Sequence, residues 1–312
     1  MTLEEKEKHK AWFLDFAGRC FAADKEACGR GLSARQLKAA PASPVARAGA
    51  ACLAPGSAVP ASCPETVKRA AARSVLAPRD FENMALKVEH TFYVLDNALK
   101  LARSLPDLGA DMERACFLAA LYHDIGRFPQ YMSFATFQDA ESVDHGFLGS
   151  KIMGGPGPLR DEAPRVLGLA RAAVCAHNKF MLPPALPADL KTVAGILRDA
   201  DKLDIFRVVG AYTRPNGKRN NVVTKNLADE PARWTPELAE AVLAEKPANA
   251  RSARYLNDFC LLLCSWVPTF NIPESRALLA RSGLMRTILD DLPDAPEMDA
   301  VRRKVEAALR GA

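Results

Sequence analysis

The sequence predicts an all-α protein, and three observations carry that prediction. No segment sustains the period-two alternation of a half-buried strand. Apolar residues instead recur at spacings of three and four from Phe81 to Val208 and again near the C-terminus, the period of one helical face. Of the 312 residues, 49% are hydrophobic and 25% charged, the ordinary mix of a globular chain with ample core material.

Taken in order, residues 5–20 read as an amphipathic helix with Trp12, Phe13 and Phe16 on the buried side, and His9, among charged neighbours, as a solvated surface residue. The stretch "APASPVARAGAACLAPGSAVPASCP", 40–64, holds too little bulky apolar material to bury surface. It reads as a mobile loop within an insertion at about 24–78. A helical core runs from about 80 to 215, closed by the polar, turn-rich loop "TRPNGKRNN" at 213–221. Two or three helices follow, including 253–267 and 295–310. The expected organisation is an N-terminal helix plus insertion (1–79), a core (80–215) and a C-terminal helical extension packed on it (216–312).

Composition narrows the function. The net charge of +5 is spread along the chain, which permits an anionic substrate. Nucleic-acid binding through "NGKRNN" is disfavoured, because that loop has no aromatic residues on which bases could stack. The longest apolar run, "FCLLLCSWV" at 259–267, is far short of the roughly 20 residues a membrane helix needs, and the charged N-terminus is no secretory signal. The eight cysteines form no Cys-x-x-Cys pair and read as reduced, so a cytoplasmic protein is expected.

The chemistry lies in the histidines. There are five, and four fall in the helical core. His90 is one turn before Val94 on the face Val94, Ala98, Leu101, Leu105. His123 and Asp124 end an apolar run in "LYHDIGRF", where Gly126 offers a stop. His145 aligns with Leu148, Gly149 and Ile152, and His177 with Val166, Ala170, Ala173 and Val174. Asp201 lies between Leu197 and Ile205 on a further apolar face, whereas Asp199 points away from it. Any one of these is most simply a core polar residue bonded to a neighbour. Six at once would need six separate partners in one core, and a shared cation satisfies them together. Imidazole with carboxylate suits one or two divalent ions of the Mn, Fe, Co, Ni or Zn kind.

The ordered set, carried by "VEHTFYV", "LYHDIGRF", "SVDHGFLG", "CAHNK" and "DADKLD", resembles the HD-domain superfamily of metal-dependent phosphohydrolases over about residues 80–210. The resemblance implies an all-α HD-domain helical bundle. It implies a basic ligand set of His90, His123, Asp124 and Asp201, with His145 and His177 in the places of the extra histidines of two-metal members and Asp124 as the bridge. "HDIGRFPQY" lacks the Gly-Tyr-Pro signature of the cyclic-dinucleotide phosphodiesterases, which argues against that substrate class. The expected activity is hydrolysis of a small phosphate ester, nucleotide-like, by metal-activated water. Arg127, Lys179 and Lys202 are the candidate cations for the phosphate, and Asp144 and Asp204 the candidates for holding a ligand histidine or acting as base. The same residue set is compatible with a di-iron oxygenase on a small polar substrate, and a nucleotide-binding sensor without turnover is the rival outside enzymes.

Overall fold

The computed structural model describes residues 1–33, 35–36, 76–213, 220–224 and 227–310. The Ala/Pro-rich stretch 40–64, most of the insertion, and residues 214–219 lie outside the described residues. Among the described residues there is no strand, and β pairing is limited to isolated bridges such as Ala228–Tyr255. No described helix is long and apolar enough to cross a membrane. The chain divides into two compact units, 1–198 and 199–312.

The first unit opens with α1 (Leu3–Phe21). Thr2 Oγ1 accepts from Glu5 N and Glu5 Oε2 from Thr2 N, so two of the orphan N–H groups at the helix start are satisfied reciprocally. α1 buries Phe13, Phe16, Ala17, Cys20 and Phe21, and a short α2 (Lys25–Gly29) follows. α3 (Pro78–Arg103) starts on a proline, whose missing N–H costs nothing in a first turn. α4 (Ala110–Tyr122) is buried continuously from Ala115 to Tyr122, as the central helix between α3 and α7 must be. α5 (Arg127–Phe134), α6 (His145–Met153) and α7 (Pro164–Ala176) complete the bundle, with α6 packed on α7. The unit boundary falls within α8 (Ala188–Thr213).

His9 is not a surface residue. It is 2% exposed, with Nδ1 3.0 Å from the Tyr122 hydroxyl and Nε2 3.0 Å from Glu162 Oε1. Arg114 bridges the same Glu162 (2.5 and 2.8 Å) to Glu5 (2.9 Å). A carboxylate only accepts, so Nε2 carries the proton and Nδ1 accepts from Tyr122: a neutral imidazole is fully bonded. Burial pushes its pKa below the ordinary 6.5, despite the opposing Glu162. The unfolded chain therefore takes up the proton first. The stability His9 contributes is complete above about pH 6.5 and falls as pH drops below it. His9→Gln keeps one donor and one acceptor but cannot titrate. The gap between wild-type and variant melting temperatures is expected to shrink from pH 7.5 to pH 5.5. A gap that stays constant would contradict the buried neutral imidazole.

The second unit holds more and shorter helices than expected: α9 (Asn221–Thr224), α10 (Pro236–Leu243), α11 (Leu256–Trp266), α12 (Pro273–Ser282), α13 (Leu284–Asp290) and α14 (Pro296–Arg310). Prolines open three of them, and each pushes the residue before it out of helical conformation. The buried Asp258 ties the starts of α10 and α11 together, accepting from Thr235 N and Oγ1, Arg254 N and Tyr255 N. Asp199, off the apolar face of α8 as its spacing indicates, is nevertheless fully buried: it accepts from Asn271 N and Nδ2, Ile272 N and Ser275 Oγ, each at 2.8 Å. It anchors the start of α12, and burial outweighs those four donors in raising its pKa.

Candidate metal centre

Five of the histidine and aspartate side chains singled out in the sequence meet inside the first unit. His90 lies on α3. His123 caps the C-terminus of α4 and is followed by Asp124, His145 is the first residue of α6, and His177 caps the C-terminus of α7. Each is placed by its helix's apolar stripe: Val94, Ala98 and Leu101 are buried with His90, Leu148 and Ile152 with His145, and Ala170, Ala173 and Val174 with His177. All five side chains are 6% exposed or less.

The ring nitrogens are arranged to leave lone pairs facing one another. His123 Nδ1 lies 2.8 Å from Ala120 O, His177 Nδ1 2.6 Å from Val174 O, and His145 Nδ1 2.7 and 2.9 Å from the Asp139 carboxylate. Those partners only accept, so the proton sits on Nδ1 in each ring and every Nε2 is an acceptor. Yet His145 Nε2 and His177 Nε2 are 3.0 Å apart, and His123 Nε2 and His90 Nε2 3.4 Å. The Asp124 carboxylate joins the pairs: Oδ1 is 3.4 Å from His145 Nε2, and Oδ2 is 3.6 Å from His123 Nε2 and 3.8 Å from His90 Nε2. Asp124, His145 and His177 offer ligand atoms all within 4.8 Å of one another.

A cation fits this donor set. The unprotonated His145 and His177 Nε2 atoms, 3.0 Å apart, repel unless a positive centre lies between them. Metal–nitrogen bonds of about 2.1 Å put neighbouring donors about 3.0 Å apart at a right angle and about 3.4 Å apart at a tetrahedral one, matching the two His–His separations.

The surroundings are positively charged. Lys87 Nζ lies 2.7 Å from Asp124 Oδ2, and Arg127 Nε 3.3 Å from Oδ1. Burial alone would raise the Asp124 pKa, but the Lys87 ammonium, with His123, Arg127 and His145, holds it well below the usual carboxylate range. Burial, reinforced by Arg127, pushes His145 down to about 4. Asp139 accepts further bonds from Arg127 Nη1 (3.0 Å), Gln130 Nε2 (2.9 Å) and Asn178 Nδ2 (2.9 Å).

Of the remaining candidates, Arg127 is at the site. Asp144 is the N-cap of α6, accepting from Phe147 N, and pairs with Lys179, whose side chain is 42% exposed. Asp201, Lys202 and Asp204 belong to the second unit. There Lys202 donates to Thr269 Oγ1 and lies over the Trp266 and Phe270 rings, and Asp204 is buried in an ion pair with Arg207 at 2.6 Å. Sequence reading missed Lys87, Asp139, Gln130 and Asn178. Lys87 carried a usable signal, standing three residues before His90 on one helical face. Gly126 is not a helix stop. It precedes α5 with φ −66° and ψ −21°, and its importance is closeness to the His145 backbone.

An all-helical bundle with histidine lone pairs converging about a His–Asp doublet defines a helical metal-binding class. Residues 88–205 match the family model described as HD domain, and this stretch is an HD domain. HD domains bind divalent metals and are mostly metal-dependent hydrolases. No curated protein and no solved structure matches the chain.

Proposed function

We propose that this protein is a metal-dependent phosphohydrolase acting on a small, nucleotide-like phosphate ester. The observation that carries the reading is the Asp124 carboxylate, with one oxygen toward His145 and the other toward His90 and His123. It favours a centre in which His90 and His123 would hold one ion, His145 and His177 a second, and Asp124 would serve both. Asp201 is proposed as the last ligand by its place in the ordered motif. A bound divalent ion supplies a Lewis acid and a water of lowered pKa.

The chain's own residues do the rest. Hydrogen bonds at Nδ1 keep Nε2 of His123, His145 and His177 aimed inward. Burial of the ligands excludes bulk water and strengthens every charge interaction inside. Lys87 and Arg127 flank Asp124 and are proposed to hold the phosphoryl oxygens and offset their charge, with Lys179 at the surface as a further cation. Lys202 and Asp204 rest on sequence position alone.

The test is elemental analysis of protein purified without chelator, then incubation of the Mn-, Co-, Ni- and Zn-loaded protein with nucleoside monophosphates and small phosphomonoesters. Release of inorganic phosphate above the chelated protein is expected. Two equivalents of iron with oxygen uptake and no phosphate release would replace this reading by the oxygenase, and a nucleotide retained unhydrolysed would replace it by the sensor.

A further inference from the structure

We propose that Asp139 is a positioning residue that fixes the His145 tautomer and thereby controls occupancy of the His145/His177 metal position. The inference rests on the two-position reading above. His123 and His177 donate Nδ1–H to carbonyls three residues back in their own helices, Ala120 O and Val174 O. His145 has no such carbonyl, because it is the first residue of α6 and what precedes it is not helical. The one-turn 3-10 segment Asp139–Glu141 supplies a carboxylate instead, and both oxygens lie within 2.9 Å of Nδ1.

That carboxylate is itself held from three sides. Arg127 and Gln130 on α5 donate to Oδ1, and Asn178, next to His177, donates to Oδ2. Gln130 is fully buried, and its Nε2 also lies within 2.9 Å of Ser142 Oγ and Val143 O, which fixes the segment leading into α6. A surface aspartate at hydrogen-bond distance by chance would not be gripped by an amide with no exposure of its own. The carboxylate keeps the proton on Nδ1 and makes Nε2 a better donor, the role that outer partners of metal-bound histidines serve. Asp139 contacts His145, whereas His123 Nδ1 is held by Ala120 O, so loss of Asp139 acts first on the His145/His177 position.

Asp139→Asn in the full chain tests this with two readouts independent of turnover. In metal-free protein, long-range ¹H–¹⁵N correlation of the imidazoles, with His145 assigned through His145→Gln, should show the Nδ1–H tautomer in wild type and its loss in the variant. In Mn or Co titrations the variant should keep one equivalent near wild-type affinity and bind the other about 10- to 100-fold more weakly. Retention of the Nδ1–H tautomer, unchanged affinity for both equivalents, or equal weakening of both would overturn the proposal. Were wild type to bind no metal, the two-position reading would fall, while the tautomer comparison would still decide whether Asp139 fixes His145. An unchanged melting temperature separates these effects from unfolding.

Discussion

Asp124→Asn is expected to abolish metal retention at both positions together and to cut phosphate release by about 10³-fold. The several kcal/mol of charge stabilisation that a bound ion contributes converts to that factor at about 1.4 kcal/mol per decade. The size follows from where the side chain stands. It is 2% exposed, and its two oxygens face separate sides of the cluster, Oδ1 toward His145 Nε2 and Oδ2 toward His123 and His90 Nε2. An amide leaves an oxygen for one pair at most and turns an NH₂ toward lone pairs or toward Lys87. The variant is expected to remain helical by circular dichroism. Lys87, about one-fifth exposed, can turn its ammonium outward, which keeps the stability loss below the ~3–5 kcal/mol of stranding a fully buried charge. Elemental analysis of the two proteins side by side decides it. Two equivalents retained in the folded variant would remove Asp124 from the centre.

How much of this centre was legible in the sequence depended on whether a residue's role follows its own helix. His90, His123, His145 and His177 each sit in register with an apolar stripe, so period 3.6 alone turned them inward, and all four are buried. The helical class followed from the same period. Residues whose role is set by another part of the chain stayed hidden. His9 is buried by Glu162, 153 positions away, and the charged residues around it read as a solvent face. Asp139 lies in a single 3-10 turn with no period to read. Asp199 stands off the apolar stripe of α8, yet the backbone of Asn271 and Ile272 gives it a buried hydrogen-bonded place. A carboxylate off the stripe is solvated only if nothing else packs there, and local spacing carries no information about that.

Gly126 shows the same limit from the side of shape, and its replacement is expected to have the largest effect on the fold. Its backbone angles are ordinary helical ones, so conformation places no demand for glycine here. Space does. A Cβ at 126 would lie 2.3 Å from His145 O, 2.8 Å from Gly149 N and 3.2 Å from His145 C, all backbone atoms of α6 that cannot swing aside as a side chain can. Gly126 is the N-cap of α5, where alanine is less favourable than glycine, and overpacking of about 1–3 kcal/mol or more adds to that, because the contact is with a rigid helix. Gly126→Ala is therefore expected to lower stability by about 2 kcal/mol or more. It also pushes the first turn of α6 away, and with it His145 Nε2, now 3.0 Å from His177 Nε2. Metal affinity at that pair should fall alongside the melting temperature. Gly168→Ala is the matched control: it lies within α7, a Cβ there meets nothing within 4 Å, and it should be neutral or stabilising by roughly 0.5–1 kcal/mol. If thermal unfolding ranks the two variants equally, the close approach of Gly126 to α6 is not what holds His145 in place.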